Sequence, residues 1–506
     1  MTPSPRPDTR HIVQLAGLVG GPLLALAAAP LLPAICDGSV CHALSDEGHA
    51  TAAVAIWMAV WWLTEAIPVY LTAMLPIALL PLLGAASARD AAAPYGHELI
   101  YLFFGGFVVA LSMERWGLHR RIAFAALRLM GTHTDRIIGG FMLISAGLSM
   151  WISNTATTIM LFPIALSVLD VMADEGEFSA ADRRNLSLCL LLGVAYAASI
   201  GGIATLIGTP PNLFLASFVQ EQIGLEIGFA RWMAVGLPVS AVFLPLCWLL
   251  LTRVLYPVSV KHLEGIRSTI ERAAAAQGRM SRGERITLAV FLCMALGWMF
   301  RPLLTSLNWH GFAPLQGLTD TGIAILAALA LFVAPVNLKC REFVMNWKTA
   351  LRLPWGVLLL FGGGLSLAAA LQANGVSEYI GLSTAGLAHF PKLLIVLGVV
   401  TIVIFLTELT SNLATTATLL PVLAALGPIL DINPIMLVVP ATIAASCAFM
   451  LPVATPPNAI VFGSGRIGVG QMVRAGVLLN LIGIVLITGA AYMLVLPLLG
   501  MLWTHS

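Results

Sequence analysis

The chain has 506 residues, 59% of them apolar and only 10% charged, with a mean hydropathy of +0.93. A soluble globular domain carries about 25% charged residues, so that class is excluded, and at a formal net charge of +2 no nucleic-acid partner is expected. Runs near 20 residues, long enough to cross about 30 Å of hydrocarbon, recur along the chain, and the fold class they imply is an all-α polytopic membrane protein.

The first run, 12–33, contains one Gln and no charge. It follows Arg6 and Arg10, which resemble the basic start of a signal peptide, but its length and the spans behind it favour a retained helix. Cys36 and Cys41 come next, close enough to bridge if their loop faces an oxidising compartment. Two free thiols are the plainer expectation, and the seven cysteines show no metal spacing. Further apolar runs follow at 51–83 (two helices meeting near Pro68), 99–115, 137–172, 186–219, 231–257, 286–304 and 320–336. The last four lie at 354–373, 391–430, 436–465 and 475–502. Several are too long for one crossing and carry Gly, Pro or polar breaks, which predicts about 11 crossings plus re-entrant or broken helices. No long soluble segment accompanies them, so a receptor kinase or a fused enzyme is not expected.

Arg253, Lys261, Arg267, Arg272, Arg279, Arg282 and Arg285 form one basic cluster, and Lys339, Arg341, Lys348 and Arg352 form another. Positive-inside bias puts both in the cytoplasm, and the two runs between them return the chain to the same side. Arg115, Arg120, Arg121, Arg128 and Arg136 make a third group. There the apolar spacing of RRIAFAALRLM (120–130) fits either a helix on the cytoplasmic interface or an ordinary basic loop.

Three signatures occur twice in the same order: FGG at 104–106 and 361–363, SNTATT at 153–158 against SNLATT at 411–416, and TPPN at 209–212 and 455–458. Internal duplication is the simplest account. A strongly basic stretch precedes the first SN pair, whereas 374–392 before the second holds Glu378 and Lys392 but no arginine. The two halves are therefore expected to be inverted in the membrane. The expected division is 1–98 as N-terminal scaffold helices, 99–257 as the first repeat, 258–353 as a cytoplasmic linker with two spans and a basic loop, and 354–506 as the second repeat.

Non-helical backbone survives at membrane depth only where protein or a water-filled cavity satisfies it. A helix that restarts at an SN pair offers N–H groups and a positive dipole end to an anion. Carbonyls, hydroxyls and amides beside the break suit a hard cation such as Na+. The two prolines of TPPN interrupt helix bonding in the same way, and Thr209 or Thr455 and Asn212 or Asn458 add polar groups. One such motif is commonly helix-to-helix glue, but two pairs in a duplicated frame favour binding. Neither motif contains Lys or Arg, so a bound anion would need N–H groups and accompanying cations to offset its desolvation. Glu65, Glu114 and Glu408 stand out among the apolar runs, and Glu408, three residues before the second SN, is the candidate for a proton relay.

WWLTEAIPVYLTAMLP (61–76), FFGGFVVALSMERWGLHRRIA (103–123), SNTATT, GTPPN (208–212), SNLATT and ATPPN (454–458) resemble the divalent anion/sodium symporter family, the sodium-coupled dicarboxylate and citrate transporters, over essentially the whole chain. The resemblance implies a multi-pass protein of the bacterial cell inner membrane, surrounded by lipid. It further implies a homodimer of scaffold and mobile domains that works by an elevator-type movement. The implied activity is symport of C4-dicarboxylates such as succinate, fumarate and malate with Na+ held at two or more sites. By position, a first sodium site is implied at Ser149, Ser153, Asn154 and Gly208 and a second at Thr407, Thr410, Asn412 and Ala454, partly through backbone carbonyls. Substrate contacts are implied at Asn154 and Thr155, with Asn412, Leu413 and Thr455 in the corresponding places of the second half.

Leu413 departs from the Thr that the family commonly has there. Leu cannot donate to a carboxylate, and a lost buried donor costs roughly 1–3 kcal/mol if the pose is kept. Tricarboxylates such as citrate therefore stay open, with sulfate-type anions less favoured. A sodium-independent dicarboxylate exchanger and a proton-coupled carrier are the nearer alternatives, and an anion channel is the alternative of another class. An enzyme is not expected, because the chain has no HExxH, no GxSxG and no carboxylate pair near a plausible reaction centre.

Overall fold

A computed structural model describes residues 9–37, 40–131, 133–174, 179–259, 270–272, 274–308 and 313–500. Arg6, Lys261 and Arg267 lie outside the described residues. Helix α1 (Thr9–Ala28) leads into a two-stranded antiparallel ribbon, β1 (Ile35–Asp37) and β2 (Val40–His42). Strand pairing sets Cys36 opposite Cys41, and Cys41 is disulfide-bonded, which corrects the expectation of free thiols. Such a bond persists in an oxidising compartment, which one crossing by α1 away from the cytoplasm would reach.

The 51–83 run divides as expected. Helix α2 (Asp46–Thr64) is capped by the Ser45 side chain and stops at Glu65, whose φ of 48° is left-handed. The chain restarts after Pro68 as α3 (Val69–Thr72) and α4 (Leu75–Leu82), followed by α5 (Ala88–Ala92) and α6 (Glu98–Trp116). RRIAFAALRLM begins within α7 (Leu118–Leu127), which buries Ala123, Phe124 and Leu127 while exposing Arg120, so the helix reading holds over the loop.

The runs that looked too long for one crossing are each two helices. Residues 137–172 are α8 (Thr134–Ser149) and α9 (Asn154–Asp174), and 186–219 are α10 (Ala180–Ile203) and α11 (Pro210–Ile223). Then come α12 (Phe229–Leu249), α13 (Arg282–Thr305), α14 (Asp320–Val333), a short β3 (Pro335–Asn337) and β4 (Glu342–Phe343) ribbon, α15 (Trp347–Ala350), α16 (Trp355–Ala373) and α17 (Val376–Ser383). The 391–430 run is α18 (Lys392–Thr407) and α19 (Asn412–Ile429), and the 436–465 run is α20 (Ile435–Ala445) and α21 (Pro456–Phe462). Helix α22 (Val469–Ala490) follows. Among the described residues eight helices are long and apolar enough to cross a membrane, with five shorter apolar ones beside them. The all-α polytopic class therefore stands.

Packing explains two sequence features. Every residue from Leu186 to Ile203 of α10 is buried, as a helix apolar all round must be, and α8, α9, α12 and α21 surround it. The duplicated FGG is a packing device: a Cβ on Gly105 would lie 2.6 Å from the Ala324 backbone, and one on Gly363 would lie 2.1 Å from Ala73 O. Glycine alone lets α6 approach α14, and α16 approach α3, so closely. The two halves also interlock, because α11 packs on α19 and α20 while α21 packs on α9 and α10. Each TPPN helix thus rests against the SN helix of the other half.

Candidate transport site

The first SN pair lies where α8 gives way to α9. Ser149, the buried last residue of α8, donates its hydroxyl to Asn154 Oδ1 at 2.5 Å, and Asn154 opens α9. Ser153 is exposed at the turn, where its Oγ accepts from Ala156 N at 3.2 Å, and Thr158 Oγ1 donates to Asn154 O at 2.9 Å. Gly208 joins them from the break between α10 and α11. A Cβ on Gly202 would sit 2.8 Å from Asn154 Oδ1 and 3.2 Å from Gly208 O, so both oxygens converge on that glycine. Ser149, Asn154 and Gly208 are therefore brought together, Ser153 caps the turn beside them, and Thr155 is half-buried in the first turn of α9.

The second pair repeats this arrangement. Thr407, buried at the end of α18, donates to Asn412 Oδ1 at 2.8 Å and lies 2.8 Å from Ala445 O, the last residue of α20. Ser149 to Asn154 and Thr407 to Asn412 are the same five-residue link. Thr410 donates to Leu406 O at 2.9 Å, and its hydroxyl meets that of Thr415 at 2.5 Å, which leaves its carbonyl as the group to offer a ligand. Leu413 is 7% exposed and belongs to the apolar core. Ala454 stands directly before the second TPPN, as Gly208 does before the first, and Thr455 Oγ1 accepts from Asn458 N at 3.3 Å.

The TPPN asparagines staple the breaks. Helix bonding fails ahead of the prolines, and Asn212 Nδ2 donates to Gly202 O (3.0 Å), Ile203 O (3.2 Å) and Thr205 O (2.8 Å). Asn458 Nδ2 donates to Ala448 O (3.2 Å) and Leu451 O (3.0 Å) at the equivalent places. Carbonyls expected to stay free for a ligand are thus partly taken by these amides. Both asparagines are wholly buried, and among the described residues their Oδ1 atoms accept no hydrogen bond.

Glu408, the candidate for a proton relay, braces the second break. It is 2% exposed, and its Oε1 accepts from Phe449 N (2.7 Å), Met450 N (2.9 Å) and Asn480 Nδ2 (2.8 Å). Its Oε2 accepts from Met450 N (3.0 Å) and Leu451 N (3.2 Å). The carboxylate therefore holds three successive N–H groups of the second break. In the first half a neutral device has this place: Thr205 Oγ1 donates to Met150 O at 2.5 Å and accepts from Gly208 N at 3.0 Å. Glu65 ends α2, and Glu114 is 4.0 Å from Arg352, so both are occupied elsewhere.

Thr205, Gly202 and Asn480 are positioning groups that the motif reading passed over. The signal for Asn480 was a lone amide in an uncharged apolar run, and for Thr205 its nearness to GTPPN. Tyr196 is another: its hydroxyl donates to Phe449 O at 2.8 Å and ties α10 to the second break.

The family described as sodium:sulfate symporter transmembrane region matches residues 23–501. The chain belongs to that family. This symporter is 39% identical to the sodium-dependent dicarboxylate transporter SdcS of Staphylococcus saprophyticus over 496 residues, 97% of this chain and 93% of that protein. With SdcS of Staphylococcus aureus it is 38% identical over 490 residues, 96% and 92% of the two chains. Its fold is similar to that of MtrF of Neisseria gonorrhoeae, described among antimetabolite efflux pumps, at a TM-score of 0.61 and 12% identity, covering 96% of this chain and 98% of that one. The YdaH transporter of Alcanivorax borkumensis gives 0.55 at 13% identity with the same coverage. At such identities both likenesses concern the fold alone. As a member of a symporter family, the protein is a multi-pass bacterial membrane transporter rather than an enzyme.

Proposed function

We propose that this symporter couples Na+ to the uptake of C4-dicarboxylates such as succinate, fumarate and malate. The observation that carries the reading is the duplicated link between a buried hydroxyl and an asparagine at the two helix restarts, Ser149 with Asn154 and Thr407 with Asn412. The names of the staphylococcal relatives support the same substrate class.

The chemistry follows from the two ends of an amide. In Asn154 and Asn412 the Oδ1 end faces hydroxyls and helix-end carbonyls, an oxygen-only shell that suits a hard cation. Ser149, Ser153, Asn154 and Gly208 would hold one Na+, and Thr407, Thr410, Asn412 and Ala454 a second. The Nδ2 end is a donor. Together with Thr155, Thr455 and the first-turn N–H groups of α9 and α19, it offers each tip a way to bind one carboxylate, and Leu413 supplies an apolar wall. Two duplicated donor sets match an anion with a carboxylate at each end. Because neither motif has Lys or Arg, the anion's desolvation is offset only once cations are in place, which makes coupling obligatory.

Alternating access would come from inverted repeats moving as an elevator. The mobile body would comprise α8–α12 and α18–α22, with α1–α6 and α13–α16 as the scaffold of a homodimer. The FGG glycines that seat α6 on α14 and α16 on α3 support placing those helices with the scaffold.

The test is uptake of labelled succinate into proteoliposomes under an inward Na+ gradient, in K+ medium, and with vesicles preloaded with unlabelled succinate. Accumulation that requires the Na+ gradient supports symport. Uptake that instead requires internal succinate would make the protein an exchanger. Competition by citrate but not by short dicarboxylates would move the substrate to tricarboxylates.

A further inference from the structure

A pocket of about 300 Å³, the lower end of the range for ligand sites, opens between α6, α7, α8 and α13, beside the turn from α8 into α9. Met113, Ala126, Leu143, Gly147, Trp151 and Phe291 are among its ten lining residues, none of which carries a charge or a hydroxyl. A wall of that kind gives a water molecule no partners, and it excludes polar metabolites. The compound that reaches it in a membrane protein is the hydrocarbon chain of a lipid.

Three observations select one occupant. Gly147 lies inside α8, where glycine is disfavoured against alanine, yet a Cβ there would meet nothing within 4 Å. Its neighbours Gly139 and Gly140 differ, since a Cβ on either would approach Trp248 or Met130 at 3.3 Å and 2.5 Å. Among the described residues no contact requires glycine at 147, and the bare position leaves space that a large side chain would fill but a methyl would not. Next, the rim is exposed apolar surface, with Leu143 56% and Ile122 36% accessible. Finally, Arg136 is exposed on α8 seven residues before Leu143, hence on the same face and about 10 Å towards the basic end of the molecule. Arg115 and Arg121 of that basic group are engaged by Val344 O and Glu284, whereas Arg120, Arg128 and Arg136 are exposed.

We propose that this pocket holds one acyl chain of an anionic membrane phospholipid, whose phosphate pairs with Arg136, and that the lipid bears on the site through Trp151. The indole stacks on Phe229 at 5.8 Å and meets Phe291 edge-on at 5.0 Å, and Ser153 and Asn154 follow it in the chain. An occupied pocket therefore buttresses the tip that carries the first cation site, against α6, α7 and α13. The functional part rests on the proposed mobile body, but the binding part does not. Hydrocarbon gains little by leaving bulk lipid for an apolar wall, so preference comes from the headgroup, at about fivefold per arginine.

The experiment reconstitutes the full chain in phosphatidylcholine vesicles containing either dibromo-phosphatidylglycerol or dibromo-phosphatidylcholine and measures quenching of tryptophan fluorescence. Succinate uptake under a Na+ gradient is read in parallel in unbrominated vesicles of both kinds. Stronger quenching by the glycerol lipid is expected. That excess should vanish in Trp151→Phe and Gly147→Phe, persist in Gly147→Ala, and need about fivefold more anionic lipid in Arg136→Gln. Equal quenching by the two lipids, or an excess that survives Gly147→Phe, overturns the site and leaves only surrounding lipid. Arg136→Gln decides the matter if Gly147→Phe fails to fold, since an unchanged lipid dependence there refutes the headgroup pairing. A quenching excess without any uptake would keep the lipid site while removing the transport reading, and uptake without the excess would do the reverse. Uptake that is equal with and without the glycerol lipid, despite the excess, refutes the buttress.

Discussion

Replacing Glu408 by Gln changes one atom and tests how the second break is held. The carboxylate accepts from three consecutive backbone N–H groups and from the Asn480 amide. A Gln oxygen can keep the Oε1 partners Phe449, Met450 and Asn480, but its NH2 would then confront the Met450 and Leu451 N–H groups that Oε2 now serves. One or two hydrogen bonds to a charged acceptor are lost, each contributing about 1.5–3 kcal/mol, while removing a buried charge gives part of that back. A net cost of about 2 kcal/mol is reasonable, and if it falls on ordering residues 446–455 it weakens apparent Na+ affinity roughly 30-fold. The assay is the Na+ concentration giving half-maximal succinate uptake in proteoliposomes, with a tryptophan-fluorescence melt to show that Glu408→Gln is folded. A half-maximal concentration within about twofold of wild type, at an unchanged melt, would refute the reasoning, because about 0.4 kcal/mol is too little for the bonds described. A proton relay predicts a different result: pH dependence disappears while Na+ dependence stays.

Four further outcomes are expected. Asn154→Ala and Asn412→Ala should each depress succinate uptake and Na+ affinity at equal membrane expression; normal uptake in both would return the motifs to a packing role. Leu413→Thr should shift the ratio of dicarboxylate to citrate transport with little effect on folding, and an unchanged ratio would show that this buried side chain does not face the anion. Thr205→Val removes the hydroxyl bonded to Met150 O and Gly208 N, costs about 1–3 kcal/mol, and should weaken Na+ binding measured by calorimetry on the detergent-purified protein. Arg301→Ala strands the buried Asp320 carboxylate, which lies 3.0 Å from Arg301 and accepts from Phe229 N at 2.8 Å, so it should cost about 3 kcal/mol and lower the melting temperature. An unmoved melt would mean that water already serves Asp320.

The membrane class, the division of four long runs into helix pairs and the exposed basic face of α7 were legible because each rests on local composition. A charge-free run of 20 residues, a Pro-Pro step or an Asn after Ser constrains its own neighbourhood whatever the tertiary fold. FGG was visible as a repeat, but its meaning was not, since Ala324 and Ala73 lie far along the chain from the glycines they touch. Glu408 was picked out for being charged in an apolar run, yet the partners that decide its role, residues 449–451 and Asn480, lie 41–43 and 72 positions away. The Asn212 and Asn458 amides were read as ligands in waiting, and they turn out to hold the backbone opened by their own prolines. The Cys41 disulfide was weighed but not preferred, because two thiols five residues apart reveal neither their compartment nor the β1–β2 pairing that sets Cys36 opposite Cys41.

The chain carries two copies of the same hydroxyl-to-asparagine link and two copies of the same asparagine staple, yet the braces behind the two breaks differ in charge. Met150 and Glu408 occupy equivalent positions ahead of their SN pairs. At Met150 the backbone carbonyl is used, by the neutral Thr205 hydroxyl, whereas at Glu408 the side chain itself reaches across to the break. A buried carboxylate attracts cations at longer range than any hydroxyl does, and low dielectric sustains that attraction. The proposed site at the second tip should therefore pull harder on a cation, and the proposed site at the first should depend more on geometry. Loss of Glu408 should accordingly change the Na+ concentration at which transport begins. Loss of Thr205 should act mainly on how well Gly208 and Asn154 meet, with a smaller dependence on ionic strength, since no charge is removed. Sequence symmetry between the halves does not carry over to electrostatic symmetry, and the two proposed cation sites should be separable by which mutation salt can compensate.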